Sequence, residues 1–262
     1  MNPKKSLGQN FLIDPNIIRK IINLSKITNQ NIVEIGPGTG NLTEEILKNN
    51  PKTLIIIEKD SHLCELLKVK FKLFKNLKII NKDILKFNLE KIIKKNSIIY
   101  GNLPYNIASQ ILVLLIKYKK WPPKYKSLVL MFQKEVGERF LAKPNDKNYG
   151  RLKVLSTFRL KIQNHFNISH NCFFPKPKID SMVLLFKPVI SKKFKIKEIE
   201  NLEKLAHLFF SNKRKMINKA FKKLFKNNAE NNAKKIKINL SYRPSQITED
   251  EYFRLVELFE ML

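Results

Sequence analysis

The chain has 262 residues, enough for one full α/β domain and a smaller partner, and its 43% hydrophobic content excludes a disordered basic tail. No stretch approaches the roughly 18 uncharged apolar residues of a membrane-spanning helix, and the start, MNPKKSLGQNF, lacks the apolar core of a secretory signal, so neither is expected. Lys and Arg number 51 against 22 acidic residues, a net charge of +29, which favours a polyanionic partner through counterion release. A general excess of Lys, Asn and Ile would raise the charge as well, so its distribution matters more than its total. From Lys187 to Leu240, 16 Lys and Arg stand against 4 acidic residues, so charge concentrates late in the chain. Cys64 and Cys172 are too few for a disulfide framework and sit in no CxxC or His cluster, which points to a reduced cytoplasm.

In chain order, Asp14-Pro15 predicts a capped helix start, with Ile17, Ile18, Ile21 and Ile22 as its buried face. A strand at 32–35 runs into a glycine turn and a helix to about Leu47. A strand at 54–57, a helix at 63–71 and strands at 77–80 and 98–100 follow, with later strands predicted at 128–132, 154–162 and 182–186. This alternation predicts an α/β fold with a mostly parallel sheet covered by helices. The pattern turns helical near Lys187-Pro188, with helices predicted at 199–210, 213–225 and 249–262. The expected domains are residues 1–187, carrying the chemistry, and a smaller helical domain, 188–262.

Residues 33–40, VEIGPGTG, set Gly36, Gly38 and Gly40 between strand and helix, where backbone without Cβ can approach a ligand. A tight turn or a dinucleotide site would use the same chemistry, but the dinucleotide spacing is GxGxxG, and Asn41 stands where its third glycine would fall. With Glu34 ahead of it, the string resembles the ExGxGxG turn of class I methyltransferases, whose S-adenosylmethionine brings a sulfonium and an amino acid instead of a pyrophosphate. Glu58 ends the second strand, where a carboxylate can bind both ribose hydroxyls of an adenosine; Asp83 follows the third, where it can accept from an adenine amine. Either alone is an ordinary loop carboxylate. Together with the glycines they mark successive strand ends on one edge of a sheet.

Residues 101–106, GNLPYN, follow the fourth predicted strand. An exocyclic amine is a poor nucleophile because its lone pair is delocalised into the ring. The side-chain oxygen of Asn102 and the carbonyl of Pro104 can each accept one amine hydrogen and turn the lone pair outward. Tyr105 offers an extruded base a stacking face worth about 1–3 kcal/mol. Catalysis then rests on positioning and electrostatics, with no strong general base. The bare string would serve equally as a turn capping a helix. Likewise, the loop FFPKPKIDS at 173–181 is either a rigid entry to the last strand or the carrier of Phe174 as a second aromatic face. His62, His165, His170 and His207 are scattered and form no ligand set, so no metal is expected.

Taken together, these segments resemble those of the bacterial small-subunit rRNA adenine dimethyltransferase family. The resemblance runs through KSLGQNFL at 5–12, the glycine turn, residues 102–105, QKE at 133–135, YGRL at 149–152, the proline loop and SNKRK at 211–215. It implies S-adenosylmethionine as cofactor and dimethylation of two adjacent adenosines in the 3′-terminal hairpin loop of 16S rRNA, late in small-subunit assembly. It adds Asn10 and Leu12 to Gly36, Gly38, Glu58, Asp83 and Asn102 as cofactor-binding residues; by themselves those residues suggest only a lid over a buried Phe11. It makes Arg151, Lys213, Arg214 and Lys215 rRNA contacts, with Lys219, Lys222, Lys223 and Lys226 completing a backbone clamp, where a solvated helix face is the plain alternative. Lys176 replaces a proline usual in the family, and Pro175 and Pro177 keep the loop stiff. A cytoplasmic monomer is expected.

Three rivals remain, the nearest of them within the same class. The large-subunit rRNA adenine methyltransferases that confer antibiotic resistance share the glycine turn and Asn-x-Pro-Tyr, but the segments at 5–12, around Arg151 and at 213–215 favour the small-subunit enzyme. A ribosome assembly factor that has lost transfer would not need Glu58, Asp83 and Asn102. A nicotinamide oxidoreductase needs a different glycine spacing.

Overall fold

The computed structural model describes residues 9–190 and 193–262; of the segment at 5–12, Lys5 to Gly8 lie outside the described residues. The chain divides into two compact units, Met1–Gly137 with Lys161–Pro188, and Glu138–Leu160 with Val189–Leu262. The second unit therefore also takes in a segment ahead of the break read at Lys187-Pro188.

The first unit opens with β1 (Phe11–Leu12) and α1 (Pro15–Ile22). Asp14 caps α1, its Oδ1 accepting from the N–H of Asn16 at 2.8 Å and of Ile17 at 3.0 Å, and Pro15 sits where the helix needs no N–H. Strands and helices then alternate as β2 (Asn31–Ile35), α2 (Asn41–Lys48), β3 (Thr53–Glu58), α3 (Ser61–Lys70), β4 (Leu77–Asn81), α4 (Leu89–Ile92), β5 (Ser97–Asn102), α5 (Ala108–Ile116) and β6 (Tyr125–Gln133). Through α6 (Lys134–Leu141) the chain enters the second unit, which holds α7 (Arg151–Arg159), and it returns with β7 (Leu160–Ile168), β8 (Phe173–Phe174) and β9 (Ser181–Pro188).

The main sheet has 7 strands in the order β4-β3-β2-β5-β6-β9-β7, and β1 pairs separately with β8. From β4 to β6 the strands are parallel, while β9 runs antiparallel to β6. This is the mostly parallel α/β sheet that the alternation predicts. Central strands β2, β3 and β5 are near-continuous apolar runs because helices cover both faces, with Ile32, Leu54, Ile56 and Ile98 packed in one core with Ile21, Ile46 and Leu67. Strand order reverses between β2 and β5, and the carboxyl ends beside that switch point open the crevice in which such sheets bind ligands.

The second unit continues with α8 (Ile199–Phe210), α9 (Asn218–Phe225), α10 (Ala229–Ile236) and α11 (Glu249–Glu260). Its core is aromatic: Phe209 stands edge-on to Phe221 at 6.4 Å and to Tyr252 at 5.9 Å, and Phe210 stacks on Tyr252 at 5.6 Å. A capping box starts α11, where the Glu251 N–H donates to Thr248 Oγ1 at 3.3 Å and the Thr248 N–H to Glu251 Oε2 at 2.7 Å.

Three predicted elements need correction. Residues 154–162 are not one strand: α7 runs to Arg159, with Val154 and Leu155 on its buried face, and β7 starts at Leu160. A short apolar run does not separate helix from strand by periodicity. Residues 213–217 form a turn ahead of α9 instead of its first residues; the Lys215 N–H donates to the Asn212 carbonyl at 2.9 Å and the Ile217 N–H to the Tyr242 carbonyl at 2.9 Å. The last helix also stops at Glu260, short of 262.

Candidate active site

The turn after β2 is built from glycine by necessity. Gly36 and Gly38 have φ of +71° and +58°; a Cβ on Gly38 would lie 2.7 Å from Phe11 Cδ1, and one on Gly36 3.3 Å from the Asn102 carbonyl. Glycine thus supplies the left-handed backbone and lets the Phe11 ring and the end of β5 close on the turn. Asn41 Nδ2 donates to the Leu12 carbonyl at 2.8 Å, tying β1 to the first turn of α2 and holding Asn10 and Phe11 over the glycines.

Beneath that segment lies a cavity lined by Gln9, Asn10, Phe11, Gly36, Gly38, Glu58, Lys59, Asp83, Ile84, Leu85, Asn102, Leu103, Pro104 and Tyr105, among others. Glu58 is buried, its Oε1 accepting from the N–H of Lys59 at 2.8 Å and of Asp60 at 2.9 Å, and its Oε2 from the Gly38 N–H at 3.4 Å. Burial pushes its carboxyl above the usual range, and those donors oppose the shift. Among the described residues Oε2 accepts only the long bond, which leaves it capacity for hydroxyl donors. Asp83 Oδ1 accepts from the Leu85 N–H at 3.0 Å, and its Oδ2 pairs with Lys59 Nζ at 3.0 Å, which holds the carboxyl below its usual range. Aliphatic walls at Ile57, Ile84, Leu85 and Ile107 suit a purine, and the two carboxylates suit a ribose and an exocyclic amine while repelling a pyrophosphate. The lining fits an adenosine carrying a cationic sulfonium.

Glu34, the acid of the glycine motif, is not in that lining. It is buried, accepts from Thr43 Oγ1 at 2.6 Å, and its Oε1 has no hydrogen-bond partner among the described residues. Burial pushes its pKa up to about 8, so it is neutral at pH 7. The folded pKa lies above the unfolded one. The unfolded chain therefore releases the proton first, and wild-type stability falls as pH rises from about 4.5 to about 8. The stability of Glu34→Gln relative to wild type, read by denaturant titration, is expected to rise by on the order of 4 kcal/mol between pH 4 and pH 8, because only wild type loses stability over that range. A gap that stays constant would mean that Glu34 does not titrate in the fold as described.

At the end of β5, Asn102 Nδ2 donates to the Asn10 carbonyl at 3.3 Å, which leaves Oδ1 as the accepting end of the amide. The Pro104 carbonyl, expected to be the second acceptor for an amine, is instead committed to the start of α5, taking the N–H of Ile107 at 3.0 Å and of Ala108 at 3.1 Å. Its lone pairs are spent there. The carbonyl of Leu103, a cavity residue, accepts no hydrogen bond among the described residues. Tyr105 lines the cavity, its hydroxyl fixed 2.7 Å from Ser181 Oγ and kept neutral by burial.

Of the residues singled out in the sequence, the cavity brings together Asn10, Gly36, Gly38, Glu58, Asp83, Asn102, Pro104 and Tyr105. It leaves out Leu12, whose side chain lies in the core, and Phe174, which is paired across from Phe11 and 58% exposed. In the second unit, Arg151 Nη1 lies 3.2 Å from His207 Nδ1, and Lys213 Nζ turns back to donate to the Lys147 carbonyl at 2.5 Å. Arg214 and Lys215 are exposed. Sequence reasoning missed the Phe11 ring on Gly38, Lys59 beside Asp83, and the Ile84-Leu85 wall; only adjacency to Glu58 and Asp83 pointed to the last two.

Residues 1–261 match the family described as Ribosomal RNA adenine dimethylase. The chain is 47% identical over 262 residues to the Ribosomal RNA small subunit methyltransferase A of Pelagibacter ubique, covering 99% of this chain and 97% of that protein. With the protein of the same name from Wolbachia pipientis wMel it shares 39% identity over 267 residues, covering 100% and 91%. A dimethyladenosine transferase from Plasmodium falciparum has a similar structure, with a TM-score of 0.77 at 28% identity over 96% of this chain and 98% of that one. The 23S rRNA methyltransferase ErmE shares the fold, with a TM-score of 0.69 at 20% identity over 95% and 99%. The sheet is accordingly that of the class I methyltransferases. The chain belongs to the ribosomal RNA adenine dimethylase family, and S-adenosylmethionine is its cofactor.

Proposed function

We propose that the protein dimethylates the N6 amines of two adjacent adenosines in the 3′-terminal hairpin loop of 16S rRNA, as a cytoplasmic monomer acting late in small-subunit assembly. The observation that carries this reading is that the glycine turn and residues 102–105 face one cavity. The name borne by the Pelagibacter and Wolbachia relatives favours a small-subunit substrate over a large-subunit one. We assign the chemistry to the first unit and the rRNA contacts to the second, with Arg214 and Lys215 on phosphates.

When bound, S-adenosylmethionine supplies an electrophilic methyl group on a sulfonium. Glu58 takes the ribose hydroxyls, Asp83 the adenine amine, and the backbone at Gly36, Gly38 and Asn10 lines the remainder. The target amine donates its two hydrogens to Asn102 Oδ1 and the Leu103 carbonyl, which draws its lone pair out of conjugation and along the line of attack. Tyr105 gives the base an aromatic face. The amine becomes cationic as it is methylated and then loses its proton readily, so no side chain removes one beforehand. After one round a single hydrogen remains, and one acceptor suffices to orient the second.

Mass spectrometry of the nuclease fragment that carries the 3′-terminal loop of treated small subunits tests the assignment. Four added methyl groups, two on each of two neighbouring adenosines, are expected. Methylation of a single adenosine, or elsewhere in 16S rRNA, contradicts it.

A further inference from the structure

In the second unit, residues 211–217 and 239–246 form two turns joined by the hydrogen bond from the Ile217 N–H to the Tyr242 carbonyl, 2.9 Å. The second turn is rigidly built. Asn239 Oδ1 accepts from the Ser241 N–H at 2.9 Å and from Ser241 Oγ at 2.6 Å, and the Tyr242 N–H donates to the Asn239 carbonyl at 3.1 Å. The Arg243 N–H donates to Gln246 Oε1 at 2.8 Å, and the buried Tyr252 hydroxyl to the Pro244 carbonyl at 2.9 Å. Both flanks of Tyr242 are thus held in place. Yet its side chain is 38% exposed, and Met216, beside the joining bond, is 56% exposed.

The charge around this platform has one sign. Arg214, Lys215 and Arg243 are exposed and form no ion pair with an acid among the described residues. The acids that begin α11 are engaged elsewhere: Glu249 with Lys153 at 3.8 Å, Asp250 with Lys193 at 2.5 Å, and Glu251 in its own cap. An exposed aromatic ring on a fixed backbone, with an exposed cation next to it in the chain at Arg243 and two more on the joined turn at Arg214 and Lys215, is the arrangement that recognises single-stranded RNA, with base on ring and phosphate on guanidinium. Duplex RNA buries its base faces and would engage the charges alone. A protein partner would call for a broader apolar centre than Tyr242 and Met216 provide.

We infer that Tyr242 is a stacking platform for an unpaired RNA base, with Arg214, Lys215 and Arg243 on the neighbouring phosphates. The inference rests on the proposed rRNA substrate and adds to it a second base-binding point, in the helical unit. It is tested by binding of full-length protein to a short oligoadenylate and to an RNA duplex with the same number of phosphates. Tyr242→Ala is expected to weaken oligoadenylate binding about tenfold with the salt slope unchanged, to leave duplex binding alone, and to be rescued by Tyr242→Phe. Arg214→Gln with Lys215→Gln is expected to weaken both RNAs and lower the salt slope. Equal loss of single strand and duplex on Tyr242→Ala would make the ring a support for the loop, and no loss on oligoadenylate would remove the platform; either overturns the inference. Oligoadenylate binding needs no methyl transfer, so a failure here is separable from a failure to methylate small subunits.

Discussion

Replacing Asn102 with alanine is expected to lower methyl transfer by at least about 10²–10³-fold while changing S-adenosylmethionine affinity only a few-fold. The asymmetry follows from the geometry. The amide's Nδ2 is spent on the Asn10 carbonyl at 3.3 Å, so what alanine removes toward the target base is Oδ1, in the proposed mechanism one of two acceptors that orient the amine. An interaction that aligns a nucleophile counts in the transition state and adds little to cofactor binding. The cofactor keeps Glu58, Asp83 and the glycine turn, and loses at most the small stiffening that Asn102 gives to the lid. Single-turnover transfer to small subunits and calorimetry with S-adenosylmethionine separate the two quantities. Equal losses in both would assign Asn102 a structural role.

Gly38→Ala is expected to weaken S-adenosylmethionine at least about tenfold and to cost roughly 1–2 kcal/mol of stability from its left-handed backbone alone. The added methyl would sit 2.7 Å from Phe11 Cδ1, so the ring must lift or the turn must shift, and either displaces the Gly38 N–H from Glu58 Oε2. A double-mutant cycle with Phe11→Ala separates these effects. Removing the ring is expected to relieve the collision and leave the backbone cost, so the two substitutions should be clearly non-additive in stability. Simple additivity would mean that Phe11 does not rest on the glycine turn.

The parts of this site that could be read from sequence are those whose chemistry is local. Gly36, Gly38, Glu58, Asp83 and Asn102 each follow an apolar run that reads as a strand, and the parallel sheet brings successive strand ends to one edge. What depended on distant partners could not be read in this way. The Pro104 carbonyl looked available until α5 was seen to begin on it, and α5 itself, ASQILVLLI, is too uniformly apolar for periodicity to tell it from a strand. Lys213 stood in a basic run, yet its ammonium is held by a carbonyl at Lys147, far away in sequence. Leu12 came from resemblance alone, and its contribution proves to be a core side chain and a carbonyl held by Asn41. Phe174 was read as half of an aromatic clamp, and it stands exposed on a strand beside Phe11, outside the lining of the cavity.

The most direct test of the central claim is transfer of labelled methyl groups from S-adenosylmethionine to small ribosomal subunits lacking the 3′-terminal adenine methylation, with large-subunit RNA as control. Label recovered from the small subunit as N6,N6-dimethyladenosine, and absent from the large-subunit RNA, is the expected result. Label in the large-subunit RNA, or none in either despite tight subunit binding, would contradict it.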